Sequence, residues 1–205
     1  MHFITSHDEL RTIYKPAGEG SLRKELTALD GHCVSFIARS PFVLIGTSDG
    51  KGLADVTPKG DRPGFVVVLD SRTIAIPDRP GNNRLDTLEN LLVAPAIGLL
   101  FLIPGMDETL RVNGTARITA DDGLRARFEV DGKLPQAVIV VQVGSAYMHC
   151  AKAFMRSQLW HPATWPDRKS MPTLGQILKD QLAVDLETAE ATDRWLDDAY
   201  AKSMW

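Results

Sequence analysis

The residues best able to do chemistry in this sequence are cations, and they fall into three groups. The first is Thr57-Pro58-Lys59-Gly60-Asp61-Arg62 and the second Asp78-Arg79-Pro80-Gly81-Asn82-Asn83-Arg84. The third is Lys152, Arg156 and Ser157, with Arg111 and Arg117 on a stretch between. The second group stands directly before a segment with helical periodicity. Asn82 or Asn83 can cap that helix, and the free N–H groups and dipole of a helix start favour an anion. Gly81 lets the backbone come close to a ligand, and Arg84 adds a guanidinium fork that matches phosphate oxygens. These features together read as a phosphate site. The competing reading is a capped helix with solvated arginines on a surface loop. Lys152 and Arg156, four apart, would share a helix face and repel weakly; an anion between them would relieve that, although a solvated basic face is the commoner case.

Other chemistries find no support in the spacing. Gly-x-Gly-x-x-Gly, Gly-x-x-x-x-Gly-Lys-Ser/Thr, Gly-x-Ser-x-Gly and His-Glu-x-x-His are all missing from the sequence, which disfavours dinucleotide-binding enzymes of the Rossmann type, P-loop NTPases, serine hydrolases and zinc proteases. Cys33 and Cys150 each follow a histidine, His32 and His149. Neither pair has the short spacing that puts two ligands on one ion, so both read as buried thiols and no metal is expected. Trp160, Trp165, Trp195 and Trp205 could stack on a planar ligand, Trp160 foremost, but tryptophans more often fill a core or an interface.

The chain has 205 residues and a formal net charge of -3. It is long enough for one domain with a small appendage, and it has no global attraction for nucleic acid or anionic membrane. No apolar run reaches the roughly 20 residues of a membrane span. Residues 1–10 lack the basic start and apolar core of a signal peptide, so the expected location is the cytoplasm.

Around the cationic groups the pattern is mainly β. Ser6 to Glu9 fits a capping box opening a first helix, and a second helix is expected through Leu22, Leu26 and Leu29, ending at Asp30-Gly31. Strands are expected at 42–47, 53–57, 65–69 and 73–76, with 58–64 as a rigid polar loop. A helix follows at 84–93, a strand buried on both faces at 96–103, and a strand at 109–119. A short helix is expected at 120–128, the clearest strand at 136–143, and a helical or turn-rich segment at 145–159. Asn113-Gly114-Thr115 marks a turn or bulge near a strand. Helices capped by Thr173 and starting near Glu187 close the chain. Short strands in series, without strand–helix–strand units, indicate a barrel or sandwich.

In order, Ser40-Pro41-Phe42, Ala54 to Asp61, Ile76 to Arg84, Leu102-Ile103-Pro104-Gly105, Leu110 to Gly114 and His149 to Phe154 resemble the pyridoxamine 5′-phosphate oxidase-like split-barrel flavoproteins, in particular an uncharacterised bacterial branch. The resemblance spans about residues 35–160. It implies an α+β, mainly β protein: a six-stranded antiparallel split barrel with peripheral helices and a helical C-terminal extension. The implied organisation is N-terminal helices at 1–30, the barrel at 31–160 and the extension at 161–205. It further implies a homodimer with FMN in the cleft between subunits. The phosphate would meet Asn82, Asn83 and Arg84; Val56, Thr57, Pro58 and Lys59 would line the ring; Arg111 and Lys152 would complete the pocket. The expected function is an FMN-dependent oxidoreductase acting on a small molecule. Lys59 is the candidate positive group near the ring, and no residue stands out as a substrate acid or base. The C-terminal arginine motif of enzymes that oxidise pyridoxamine phosphate is missing, so vitamin B6 itself is not the expected substrate. Alternatives are a non-catalytic flavin binder or sensor, a haem-binding relative using His149 or His161, and a relative using deazaflavin.

Overall fold

The structure, a computed structural model, describes residues 1–182 and 188–204. Among them seven strands form one antiparallel sheet: β1 Phe42–Ser48, β2 Ala54–Gly60, β3 Val67–Asp70, β4 Thr73–Asp78, β5 Ala96–Leu102, β6 Thr109–Thr119 and β7 Ala137–His149. Their order is β2-β1-β5-β6-β7-β4-β3. The class is the expected α+β split barrel, with seven strands where the resemblance implies six. Each of β1, β5, β6 and β7 alternates between buried and less buried residues. Val43, Ile45, Leu99, Phe101, Leu110, Val112, Ile139 and Val141 point into one core with Ile74 and Ile76 of β4. β5, expected to be buried on both faces, is therefore buried on one only.

β6 and β7 run side by side from Thr109↔His149 to Thr119↔Val138, with a register shift between Asn113 and Gly114. A Cβ on Gly114 would lie 2.0 Å from the Gln142 carbonyl oxygen, so this bulge tolerates only glycine. β7 is longer than expected: it absorbs Ser145–His149, read from sequence as helix or turn. Beyond the start of β4, whose Thr73 pairs with Gln142, Leu26 becomes the neighbour of β7, exchanging both backbone hydrogen bonds with Ala146 at 2.9 Å.

That pairing also corrects the second helix. Helix α1 is His7–Ile13, capped by Ser6, and α2 is only Glu19–Arg23. Leu26 lies in an extended bridge, and Asp30 starts a helix where an end was expected. Its carboxylate accepts the Cys33 N–H at 2.8 Å and caps α3, Gly31–Arg39, which buries Cys33, Phe36 and Ile37. Asp-Gly is a stop signal only when the preceding turn is helical. Here the residues before Asp30 are a bridge and a bend, not a helical turn, so the same carboxylate serves the turn that follows.

Helix α4, Asp86–Val93, packs against β1, β2 and β6, with Leu91 buried and Asn90 Nδ2 donating to Thr47 Oγ1 at 3.0 Å. α5 is Asp122–Ala126 and α6 Lys152–Ser157. α7, Leu174–Leu182, and α8, Ala189–Ser203, pack on each other, the Gly175 N–H donating to Asp193 Oδ1 at 2.8 Å. Thr173 caps α7 as expected, its Oγ1 accepting from the Gln176 N–H. Glu187 and Trp205, named in the sequence reading, lie outside the described residues. No described helix is long and apolar enough to cross a membrane.

Candidate functional site

One cleft, of about 190 Å³, collects two of the three cationic groups. Thr57 and Lys59 of β2 line it, as do Arg79 to Arg84 and the first turn of α4, together with Asp55, Asp78 and Gln136. The alternation of β2 decides which of its residues take part. Lys59 and Thr57 pair in register with Val43 and Ile45, whose side chains are fully buried, so they share the inner face. The segment 58–60, expected as loop, continues the strand. Pro58 is tolerated there because β2 is an edge strand whose outer side needs no ladder hydrogen bond.

Val56 and Pro58 fall on the opposite face. Pro58 pairs with Leu44, Leu44 with Leu100, Leu100 with Arg111 and Arg111 with Tyr147, one row across the outer face of the sheet. Arg111 donates to Tyr147 Oη at 3.0 Å and covers its ring, which Lys24 also approaches. Lys152 opens the exposed helix α6. The structure thus brings together Thr57, Lys59, Asn82, Asn83 and Arg84, sets Val56, Pro58 and Arg111 on the outer face, and leaves Lys152 outside this cleft.

Every cation of the cleft has a carboxylate partner. Lys59 Nζ meets Asp78 Oδ1 at 2.6 Å, both four-fifths buried. Arg79 Nε meets Asp61 Oδ2 at 2.9 Å and its Nη1 donates to the Phe128 carbonyl at 2.8 Å. Arg84 Nε meets Asp86 Oδ2 at 2.5 Å, and this pair is exposed. Lys59 and Arg79 are therefore fixed parts of the wall, whereas Arg84 can exchange its partner cheaply.

The start of α4 differs from the sequence reading. Neither Asn82 nor Asn83 caps it. Asn82 Oδ1 accepts the Arg84 N–H at 3.0 Å, and Asn83 is left-handed at φ 57°. The cap position falls to Leu85, also left-handed at φ 48°, with no side-chain cap hydrogen bond. Such a backbone is uphill for leucine by about 1 kcal/mol or more. The first backbone bond of the helix runs from the Glu89 N–H to the Leu85 carbonyl at 2.9 Å. The N–H groups of Asp86, Thr87 and Leu88 thus have no helical acceptor, and all three residues line the cleft. Thr87 is 6% exposed, and among the described residues nothing hydrogen-bonds its hydroxyl.

Sequence reasoning missed Thr87, Gln136 and the carboxylates Asp55, Asp78 and Asp86. A threonine in the first turn of a helix behind Asn-Asn-Arg was the available signal for Thr87; Gln136 has none, since only the β4–β7 pairing brings it beside Asp78. Trp160 stacks on Phe154, ring centroids 5.8 Å apart, and donates to the Met106 carbonyl at 2.8 Å. Cys33 is buried, which pushes its thiol pKa up, but Cys150, read as buried, is exposed.

The sequence profile described as pyridoxamine 5′-phosphate oxidase matches residues 29–150, more than half of the chain. The protein belongs to that family. No curated protein matches it. Among solved structures it is similar to HupZ of Group A Streptococcus, at 18% identity over 58% of this chain and 93% of that one, with a TM-score of 0.49. It is also similar to a Lactobacillus delbrueckii candidate pyridoxamine 5′-phosphate oxidase, at 22% identity over 60% and 98%, TM-score 0.48. A third is an FAD binding protein from Mycobacterium smegmatis, at 17% identity over 60% and 98%, TM-score 0.39.

Proposed function

We propose that this protein binds FMN, with the phosphate at the junction of Asn82, Asn83, Arg84 and α4, and that the bound flavin serves an oxidoreductase reaction on a small molecule. The observation that carries the reading is the meeting of the β2 block and the Pro-Gly-Asn-Asn-Arg block in one cleft that ends on an uncapped helix start. The donor set suits a phosphate ester: free N–H groups, a dipole of the right sign and an arginine with an exchangeable partner. FMN supplies the electron transfer; the chain binds it, orients it and sets the charge around it. Lys59, held by Asp78, is the cation nearest the proposed ring position on β2.

A second chain completes the site in this reading. The cleft is smaller than the roughly 300–1,000 Å³ of pockets that enclose a cofactor. Val56, Pro58 and Arg111 lie together on the outer face, where a partner's cleft could use them. Lys152 would join from the segment after β7. The assembly is then a cytoplasmic homodimer with barrels of residues 31–160, each preceded by residues 1–30 and followed by 161–205.

The test is the visible spectrum of purified protein before and after adding FMN, with the mass in solution measured alongside. Flavin bands near roughly 375 and 450 nm, quenched fluorescence and a dimer support the proposal. Protein that stays colourless with FMN present, or that shows a Soret band, would overturn it.

A further inference from the structure

We infer that the outer face of the sheet carries an anion site of its own: Arg111, Tyr147 and Lys24 hold the carboxylate of a small organic acid whose flat apolar body lies along Leu100 and Leu44. The site itself stands without the flavin. Its use as the place where an acidic substrate meets the ring rests on the flavin-binding reading.

Among the described residues four Lys or Arg side chains are partly buried: Lys59, Arg79, Arg111 and Arg125. Three of them meet a carboxylate, Lys59 at Asp78, Arg79 at Asp61 and Arg125 at Asp122. Arg111 meets none among the described residues. Its Nη1 donates to Tyr147 Oη at 3.0 Å, and its guanidinium stands 5.6 Å from the centre of that ring. A second cation, Lys24, stands 5.7 Å from the same centre and also has no carboxylate among the described residues. A ring contact accounts for one cation. Two on one phenol repel each other when no negative charge lies between them. The hydrogens still to be used all belong to donors: the remaining guanidinium N–H groups, the ammonium, and the Tyr147 hydroxyl, whose oxygen already accepts from Arg111. Such a donor set suits a carboxylate, which pairs with a guanidinium through both oxygens.

The rest of the face supplies the seat for the body of the ligand. Leu100 and Leu44 follow Arg111 in the same row across β5 and β1. The adjacent row is Gly46, Gly98, Asn113 and Ser145. A Cβ on Gly46 would meet only backbone oxygens, at 3.8 and 4.0 Å. The two glycines therefore leave a shallow trough beside the leucines. Asn113 Nδ2 donates to Ser145 Oγ at 3.4 Å and closes the trough at β6. An apolar trough with cations at one end fits an aromatic or alicyclic acid better than a compact inorganic anion.

The probes are benzoate, benzyl alcohol and inorganic phosphate, added to the full chain with and without FMN. Binding is read from the amide shifts of Tyr147 and Leu100, in wild type, Arg111→Gln and the surface variant Lys24→Gln. Benzoate should move both amides in wild type. Its affinity should fall roughly tenfold or more in Arg111→Gln and a few-fold in Lys24→Gln. Benzyl alcohol at the same concentration should move neither amide. Amides that ignore benzoate, or that respond equally to benzyl alcohol, overturn the site. Unchanged benzoate affinity in both variants overturns it too. Phosphate binding more tightly than benzoate overturns the organic acid as its ligand. With FMN bound, benzoate should also shift the visible flavin band, and binding of both without that shift overturns the substrate role. If benzoate binds through Arg111 while FMN is ignored, the anion site stands and the flavin reading falls. If FMN binds and benzoate does not, the flavin reading stands and the anion site falls.

Discussion

Lys59 and Asp78 form an ion pair of 2.6 Å across the wall of the cleft, although they are 19 positions apart in sequence. The pair ties β2, at one edge of the sheet order, to the end of β4, near the other. It helps close the split barrel where no backbone ladder does so. Lys59→Met and Asp78→Asn should each cost about 1–2 kcal/mol, because the first leaves the mostly buried Asp78 carboxylate unpaired and the second leaves the Lys59 charge uncompensated. The double variant should cost less than the sum. Urea unfolding of all four proteins measures the coupling, and additive effects would show that the two side chains do not support each other.

Arg84 and Asp86 set a competition for the anion. Asp86 holds Arg84 at 2.5 Å and adds negative charge at the start of α4. Asp86→Asn should raise FMN affinity a few-fold, and Arg84→Ala should lower it by more than about 1 kcal/mol. Both effects should shrink as salt rises, since the pair is exposed. Isothermal titration at two salt concentrations checks this; a weaker FMN complex in Asp86→Asn would mean the carboxylate helps rather than competes.

Much of the sheet was legible because its signals are local. Residues 109–119 read as a strand from alternation and are β6 with the same ends. Asn113-Gly114-Thr115 read as a turn or bulge near a strand, and the register shift between Asn113 and Gly114 makes it a bulge within one. Pro58 and Pro77 misled, since proline argues against a strand. Pro58 sits on the edge strand, and Pro77 pairs with Val138 beyond the reach of β3, so neither needs a donor on its open side. The cleft was half legible. Lys59 and Arg84 announce charge, but their carboxylate partners and the inner or outer face of each β2 residue depend on register across strands that sequence spacing does not encode. Leu85 at the cap position contradicts residue preference, and such local exceptions concentrate where a ligand is held.

Gly114 carries the most demanding backbone position in the sheet. A methyl group there would overlap the Gln142 carbonyl at 2.0 Å, and backbone cannot swing aside as a side chain can. Gly114→Ala should therefore destabilise by about 3 kcal/mol, the upper range for overpacking. By contrast Gly81→Ala meets no atom within 4 Å and should leave the melting temperature nearly unchanged. Thermal unfolding of the two variants side by side tests the contrast, and similar melting points would remove the bulge from the list of constraints.

Asp30 gives the fold a pH-sensitive joint at the entry to α3. The Cys33 backbone N–H donates to its carboxylate at 2.8 Å, and this bond, with the Cys33 side chain second, holds the acid below its ordinary value of 3.8. A depressed native value means that the folded state releases the proton more readily than the unfolded chain. The cap's contribution is therefore complete above the ordinary carboxyl value and disappears as pH falls through the lower native one. Asp30→Ala should cost about 1 kcal/mol at neutral pH. Asp30→Asn keeps an acceptor for the Cys33 N–H and should lose little at neutral pH, but its stability should fall less steeply below pH 4 than wild type. Urea midpoints at pH 7 and pH 3 for the three proteins decide it. If Asp30→Asn and wild type lose stability in parallel on acidification, the acid sensitivity arises at other carboxylates and the cap is neutral to pH.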